Sequence, residues 1–76
     1  MKLKTALKDI LGDVNIFNYS CELVGSIFSY QKWGYSVRNA NAEEKEEIKS
    51  KIQGLYDTQV REISANTKGG INIYLK

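Results

Sequence analysis

The chain has 76 residues and a formal net charge of +2, a balance that neither requires nor excludes a nucleic-acid partner. At this length it makes a single domain, residues 1–76, with a thin hydrophobic core. Cys21 is the only cysteine and there is no histidine, which excludes an intrachain disulfide and a conventional zinc site with its roughly four nitrogen or sulfur ligands.

Apolar side chains near the start of the chain recur at helical spacing, at Leu3, Ala6, Leu7, Ile10 and Leu11. This spacing places them on one stripe of a helix, which we predict over residues 2–11. Gly12 follows at the position where a left-handed C-terminal cap is expected.

Two strands are predicted next, because the apolar period changes from helical spacing to two at Val14. The second strand is predicted over residues 23–30, with Gly25 as a bulge or a point of close approach. Residues 19–22 would form the short connection between the strands. A further turn over residues 32–34 and a short third strand over residues 35–37 are also predicted.

The segment from Asn41 to Gln53 predicts a second helix. Asn41 suits the N-cap, Glu44 follows three positions later as in a capping box, and Gly54 fits the C′ position. Two more strands are predicted over residues 58–64 and 71–75, joined by a turn that is rich in Asn and Gly.

The predicted order of elements is α-β-β-α-β-β. Both strand pairs have connections too short for a parallel crossover, so each pair should be antiparallel. The sequence therefore predicts an α+β fold, with one antiparallel sheet of four or five strands and both helices on a single face. A chain this small also gains stability by self-association, so a homodimer is possible.

Catalytic chemistry is poorly represented in the sequence. Histidine, the commonest general base near neutral pH, is absent, and Cys21 lacks the partner that usually generates a thiolate. Lys68-Gly69-Gly70 joins two strands and does not lead into a helix, unlike a phosphate-binding loop. We therefore expect a protein that is not an enzyme, with no catalytic residues, cofactor or metal.

The segment 26–36 carries four aromatic rings and few charges. Both faces of the predicted second strand carry large apolar groups, which a sheet covered on one side cannot bury. These rings either form a minor core or stay exposed as an interface. The candidate contact set is Tyr30, Lys32, Trp33, Tyr35 and Arg38. The same residues resemble a stacking platform for single-stranded nucleic acid, which is the alternative interpretation.

The acidic start of the second helix is another candidate surface. Glu43, Glu44 and Glu47 lie in its first turns, where they match the helix dipole and aid solubility. They also offer an acidic surface that could imitate a nucleic-acid backbone and occupy a basic groove on a partner.

The layout of the whole chain resembles that of small uncharacterised accessory proteins of phages and prophages from low-GC Gram-positive bacteria. The similarity lies in the helix segment KTALKDILGDVNIFN, the strand LVGSI and the strand-turn-strand LYDTQVREISANTKGGINIYLK. It implies a protein that binds a host protein, such as an anti-CRISPR or other anti-defence inhibitor. No functional residue is carried over from the resemblance.

The expected location is the host cytoplasm. A lone cysteine fits a reducing compartment, and no stretch approaches the roughly 20 apolar residues that span a bilayer. The sequence thus predicts a cytoplasmic module that contacts a host protein and no membrane.

Overall fold

The computed structural model describes residues 1–9, 12–27, 41–67 and 69–76. This part of the chain forms, in order, α1 (Leu3–Asp9), β1 (Val14–Phe17), β2 (Leu23–Ile27), α2 (Ala42–Gln53), β3 (Val60–Ala65) and β4 (Ile71–Leu75). The α+β class is confirmed. The predicted end of the second strand, the turn at 32–34 and the third strand at 35–37 lie outside the described residues.

The four strands form one mixed sheet in the order β2-β1-β4-β3. The two sequence-adjacent pairs, β1 with β2 and β3 with β4, are antiparallel as predicted. The central pair, β1 with β4, is parallel, so the prediction of a wholly antiparallel sheet is wrong. Short connections dictate the direction of strands that follow one another, but they place no such limit on two strands as distant in the chain as β1 and β4.

Both helices pack on the same face of this sheet. The alternate side chains of β1 and β4 that point to this face join buried residues of α1 and α2 in one hydrophobic cluster. Its members are Leu3, Ala6, Val14, Ile16, Ile48, Ile52, Ile73 and Leu75. Burying apolar side chains of this size stabilises the fold by about 1.5–3 kcal/mol each. This face holds the core, and neither helix lies on the other face of the sheet.

A bulge in β2 changes which side chains point to the core. Gly25 pairs with Ile16 and Leu23 pairs with Phe17, so Val24 is the extra residue. Strict alternation puts Val24 on the same face as Ser26, which pairs with Asn15 on the side away from the helices. In the bulge Val24 instead packs against the core.

Helix α2 begins and ends where the sequence predicts, at Ala42 and Gln53, but the conformation of the glycine that follows it differs. The side chain of Asn41 accepts a hydrogen bond of 2.8 Å from the backbone N–H of Glu44, which is the expected N-cap. Gly54 is the C-cap itself, with a right-handed φ of −65°, and it is not the left-handed C′ residue that was predicted. Its N–H still bonds to the carbonyl of Ser50 at 3.0 Å, so the helical turn simply continues through it.

Replacing Asn41 with alanine should lower the free energy of unfolding by about 1 kcal/mol, the usual effect of losing an N-cap side chain. Asn41→Ser retains an acceptor oxygen and is the matched control, expected to stay within a few tenths of a kcal/mol of the wild type. Urea denaturation followed by circular dichroism measures both. Equal losses in the two variants would mean that the side-chain oxygen does not cap α2.

The first residues of the chain pair with the segment that leads into β3. Leu3 N–H bonds to Thr58 C=O at 2.9 Å, and Val60 N–H bonds to Met1 C=O at 2.7 Å. The start of the chain thus pairs with residues 58–60. Strand β3 begins at Val60, two residues after the predicted Thr58. Next to them, the Lys4 ammonium lies 3.1 Å from the Asp57 carboxylate and, by hydrogen bonding and charge, lowers the pKa of Asp57 below its ordinary value.

Candidate functional site

The face of the sheet that points away from α1 and α2, here called the open face, carries two rows of side chains. The parallel pairing places Asn15 of β1 beside Asn72 of β4, and Phe17 beside Tyr74. The antiparallel pairing with β2 adds Leu23 to the row of Phe17 and Tyr74. All of these side chains are partly buried, and neither helix lies over them.

The aromatic row is held together by stacking and by a cation. The rings of Phe17 and Tyr74 have centroids 4.8 Å apart and planes inclined by only 15°. The guanidinium of Arg61, in β3, lies 5.9 Å from the centroid of Tyr74, within the range of a cation–π contact. Its Nη2 also donates to the Sγ of Cys21 at 3.2 Å. Arg61 therefore joins the start of β3 to the β1–β2 turn.

The β1–β2 turn presents an exposed tyrosine beside this row. The side chain of Asn18 organises the turn, because its Oδ1 accepts from the backbone N–H groups of Ser20 at 2.9 Å and Glu22 at 3.0 Å. Cys21 has a φ of +61°, in the left-handed region that side-chain-bearing residues seldom adopt. Tyr19 is 73% exposed. We call Phe17, Tyr19, Leu23, Arg61 and Tyr74 the open-face patch.

The row that contains Asn15 and Asn72 is a ladder of polar side chains that hydrogen-bond to one another across the strands. Ser26 Oγ donates to Asn15 Oδ1 at 2.6 Å, and Asn15 Nδ2 donates to Asn72 Oδ1 at 3.1 Å. Asn66, in the β3–β4 turn, also donates to Asn72 Oδ1, at 3.4 Å. The ladder runs from β2 across β1 to β4 and satisfies the hydroxyl of Ser26, which is only 1% exposed.

The predicted contact residues Tyr30, Lys32, Trp33, Tyr35 and Arg38 lie outside the described residues, and their role stays a prediction. The acidic residues Glu43, Glu44 and Glu47 are exposed on the first two turns of α2. The Glu47 carboxylate lies 3.7 Å from the Lys51 ammonium one turn later. Because α2 covers the core face, these carboxylates and the open-face patch lie on opposite sides of the sheet.

The sequence prediction did not single out the open-face patch as a site. Its signals were present, since Phe17 and Tyr74 both fall on the side opposite to the core residues of their strands. What brings them together is the parallel β1–β4 pairing, which was not predicted. Arg61 reaches Tyr74 through an irregularity in β3, where the register shifts between Val60 and Glu62.

The described residues hold no group of three or more cysteine or acidic side chains placed to bind a metal ion. Within the same residues, neither helix has the length and apolar composition needed to cross a membrane. Comparisons of the chain with protein-family models, with curated proteins and with solved structures gave no significant match.

Proposed function

We propose that this protein is a non-enzymatic binding module of phage origin that inhibits a host defence protein by direct contact through the open-face patch. The observation that supports the proposal most strongly is the patch itself. Tyrosine and arginine are the residues that most often dominate the binding energy of protein interfaces, and here they stand together on a sheet face that neither helix covers.

The packing within the patch favours a protein partner. Three of its side chains, Phe17, Tyr74 and Arg61, are already held against one another by ring stacking and a cation–π contact. Fixing such side chains in advance reduces the conformational entropy that binding would otherwise cost, about 0.5–1.5 kcal/mol for each flexible side chain. A pre-organised aromatic surface with an arginine at its edge is suited to a folded partner.

The same geometry disfavours single-stranded nucleic acid as the ligand of this patch. Base stacking needs free aromatic faces, usually several in succession. Phe17 and Tyr74 stack on each other and Arg61 lies over the ring of Tyr74, so Tyr19 is the one strongly exposed ring of the patch. Glu62, which pairs with Tyr74 across the strands, adds a negative charge beside the cation. The nucleic-acid alternative therefore depends on residues 30–38 and remains a separate hypothesis.

The test is comparative capture of host protein from a lysate of a low-GC Gram-positive host. Arg61→Ala and Tyr19→Ala should each weaken capture of the partner by about 30-fold, equivalent to about 2 kcal/mol, which is the loss typical of an interface hot spot. Both side chains are exposed, so the midpoint of thermal unfolding should change little. Titration of the purified partner then gives the affinities.

The matched control is the double variant Glu43→Gln/Glu47→Gln on the opposite side of the sheet, which should capture the partner as well as the wild type. Loss of capture in this control alone would move the contact to the acidic start of α2 and contradict the patch. Retention on single-stranded DNA that falls steeply with salt, without capture of a protein, would favour the nucleic-acid alternative.

A further inference from the structure

The edge of the sheet formed by β3 is a second candidate surface for binding a partner. Among the described strands β3 is one of the two edge strands, and its residues are exposed or half-buried along the whole strand. Ile63 points to the helix face, opposite the fully buried Ile73, yet it is 43% exposed. Neither helix extends far enough to cover it.

The backbone groups that face outward from this edge can be assigned from the ladder. Asn66 N–H bonds to Gly70 C=O at 2.9 Å, toward β4. Because the bonds of an antiparallel ladder alternate, Ser64 also faces β4, whereas the N–H and C=O groups of Ile63 and Ala65 face away from it. At the other end of the strand Val60 N–H is already bonded to Met1.

We propose that a second copy of this chain pairs with this edge, strand β3 against strand β3, antiparallel about a twofold axis at Ser64. In this register Ile63 lies opposite the partner's Ala65, and Ala65 opposite the partner's Ile63. Every outward N–H and C=O of both residues then has a partner. On the helix face the exposed Ile63 side chain meets the small side chain of alanine, a large-against-small contact that leaves room for both.

Charge and the position of Met1 favour this register over those shifted toward the start of β3. With the axis at Ser64, Glu62 lies opposite the partner's Asn66, and the two Glu62 carboxylates are roughly 13 Å apart along the strands. An axis at Ile63 would make the two carboxylates diagonal neighbours, an unfavourable like-charge contact. Registers shifted further toward Val60 would collide with Met1, which already occupies that part of the edge.

The resulting dimer has one continuous sheet. A twofold axis perpendicular to the sheet keeps the open faces of both copies on the same side, so the dimer would present two open-face patches in one direction. The pairing does not depend on the proposed inhibitory function, and it is tested without any host protein.

The first experiment measures mass by sedimentation equilibrium. The apparent mass of the wild type should rise from 8.6 kDa toward twice that value as concentration increases from roughly 10 μM to 1 mM, the range in which small interfaces dissociate. Ala65→Pro removes one outward N–H and leaves the ladder to β4 intact, so it should stay monomeric throughout. Ile63→Lys places like charges at the new edge and should also stay monomeric. Ile63→Thr keeps the branched shape without charge and should still associate.

The second experiment tests the register with cysteines, in a Cys21→Ser background that removes the native thiol. Ser64 and the partner's Ser64 would form a closely spaced, non-hydrogen-bonded pair, a separation that a disulfide can bridge. Ser64→Cys should therefore form a covalent dimer under mild oxidation. Glu62→Cys, on the same face but far from its copy, should not.

Circular dichroism of every variant at low concentration establishes that it is folded. A wild type that stays monomeric at the highest concentration would overturn the proposal, as would a dimer that persists in both Ala65→Pro and Ile63→Lys. Equal crosslinking through positions 62 and 64 would overturn the register.

Discussion

Replacing Gly25 with alanine should destabilise the fold by about 2–3 kcal/mol, because there is no space for a methyl group between β2 and α2. A Cβ at this position would overlap the Cγ2 methyl of Ile48 and lie only 3.3 Å from Cδ1 of Ile52. Both isoleucines are buried in the core, so neither can turn away into solvent. Alanine here would push α2 off the sheet. Urea denaturation of the purified variant gives the change in unfolding free energy.

Two further variants make this prediction specific. Ile48→Ala removes the overlapping methyl, so the double variant Gly25→Ala/Ile48→Ala should be more stable than the sum of the two single effects implies. Gly54→Ala is the matched control, because Gly54 is exposed with a helical φ of −65°. There alanine should be neutral or should stabilise the protein by up to about 1 kcal/mol. A Gly25→Ala protein as stable as the wild type would contradict the close packing of α2 on β2.

Ile73→Ala should be the most damaging single truncation in the sheet, with a loss of about 3–4 kcal/mol. Ile73 is fully buried in the central strand β4, with Ile16 of β1 and Ile63 of β3 as its cross-strand neighbours. At roughly 0.05–0.15 kcal/mol per residue, a domain of this size has a total stability of about 4–11 kcal/mol, so this loss is a large fraction of the whole. The midpoint of thermal unfolding should fall by more than about 10 °C relative to the wild type.

Ile63→Ala is the matched control for this truncation. It removes the same atoms from the directly paired residue, but Ile63 is 43% exposed, so less transfer free energy is lost and no closed cavity forms. We expect a loss under about 1.5 kcal/mol, measured at a concentration low enough to keep the protein monomeric. Similar losses in the two variants would mean that the helices do not concentrate the core over β1 and β4.

Local elements of this fold follow closely from the sequence. The helical spacing of Leu3, Ala6 and Leu7 predicted α1, and the N-cap at Asn41 predicted the start of α2. Each of these signals is made by residues only a few positions apart in the chain. Gly12 has a φ of +106°, which agrees with the predicted turn after α1. Both hairpins were predicted from their short connections.

Structural features that depend on contacts between distant parts of the chain could not be predicted from the sequence in this way. The parallel β1–β4 pairing joins strands with no short connection, so no turn chemistry specifies it. The extra residue Val24 reverses the facing that strict alternation predicts, and only packing against the helices reveals it. The cap conformation of Gly54 was misjudged because glycine permits a left-handed conformation without requiring one.

For the candidate site, too, local features were predictable from the sequence and features made by the tertiary fold were not. Acidic residues at the start of α2 are exposed, as expected from local charge pattern. The open-face patch was missed, because its members come from four strands and a turn and become neighbours only through the tertiary fold. Aromatic residues in the segment 26–36 drew attention by their density in the sequence, whereas Phe17 and Tyr74 are isolated in the sequence and adjacent in space.

The parallel contact between β1 and β4 also bears on how the chain reaches its native state. Each hairpin closes a short loop and can form on its own, but the Asn15–Asn72 contact joins residues 57 positions apart. Closing so long a loop is entropically costly and tends to be slow. We therefore expect the pairing of β1 with β4, which joins the two hairpins into one sheet, to limit the folding rate. Weakening this pairing would leave two hairpins that are each only marginally stable, so unfolding would lose its cooperativity.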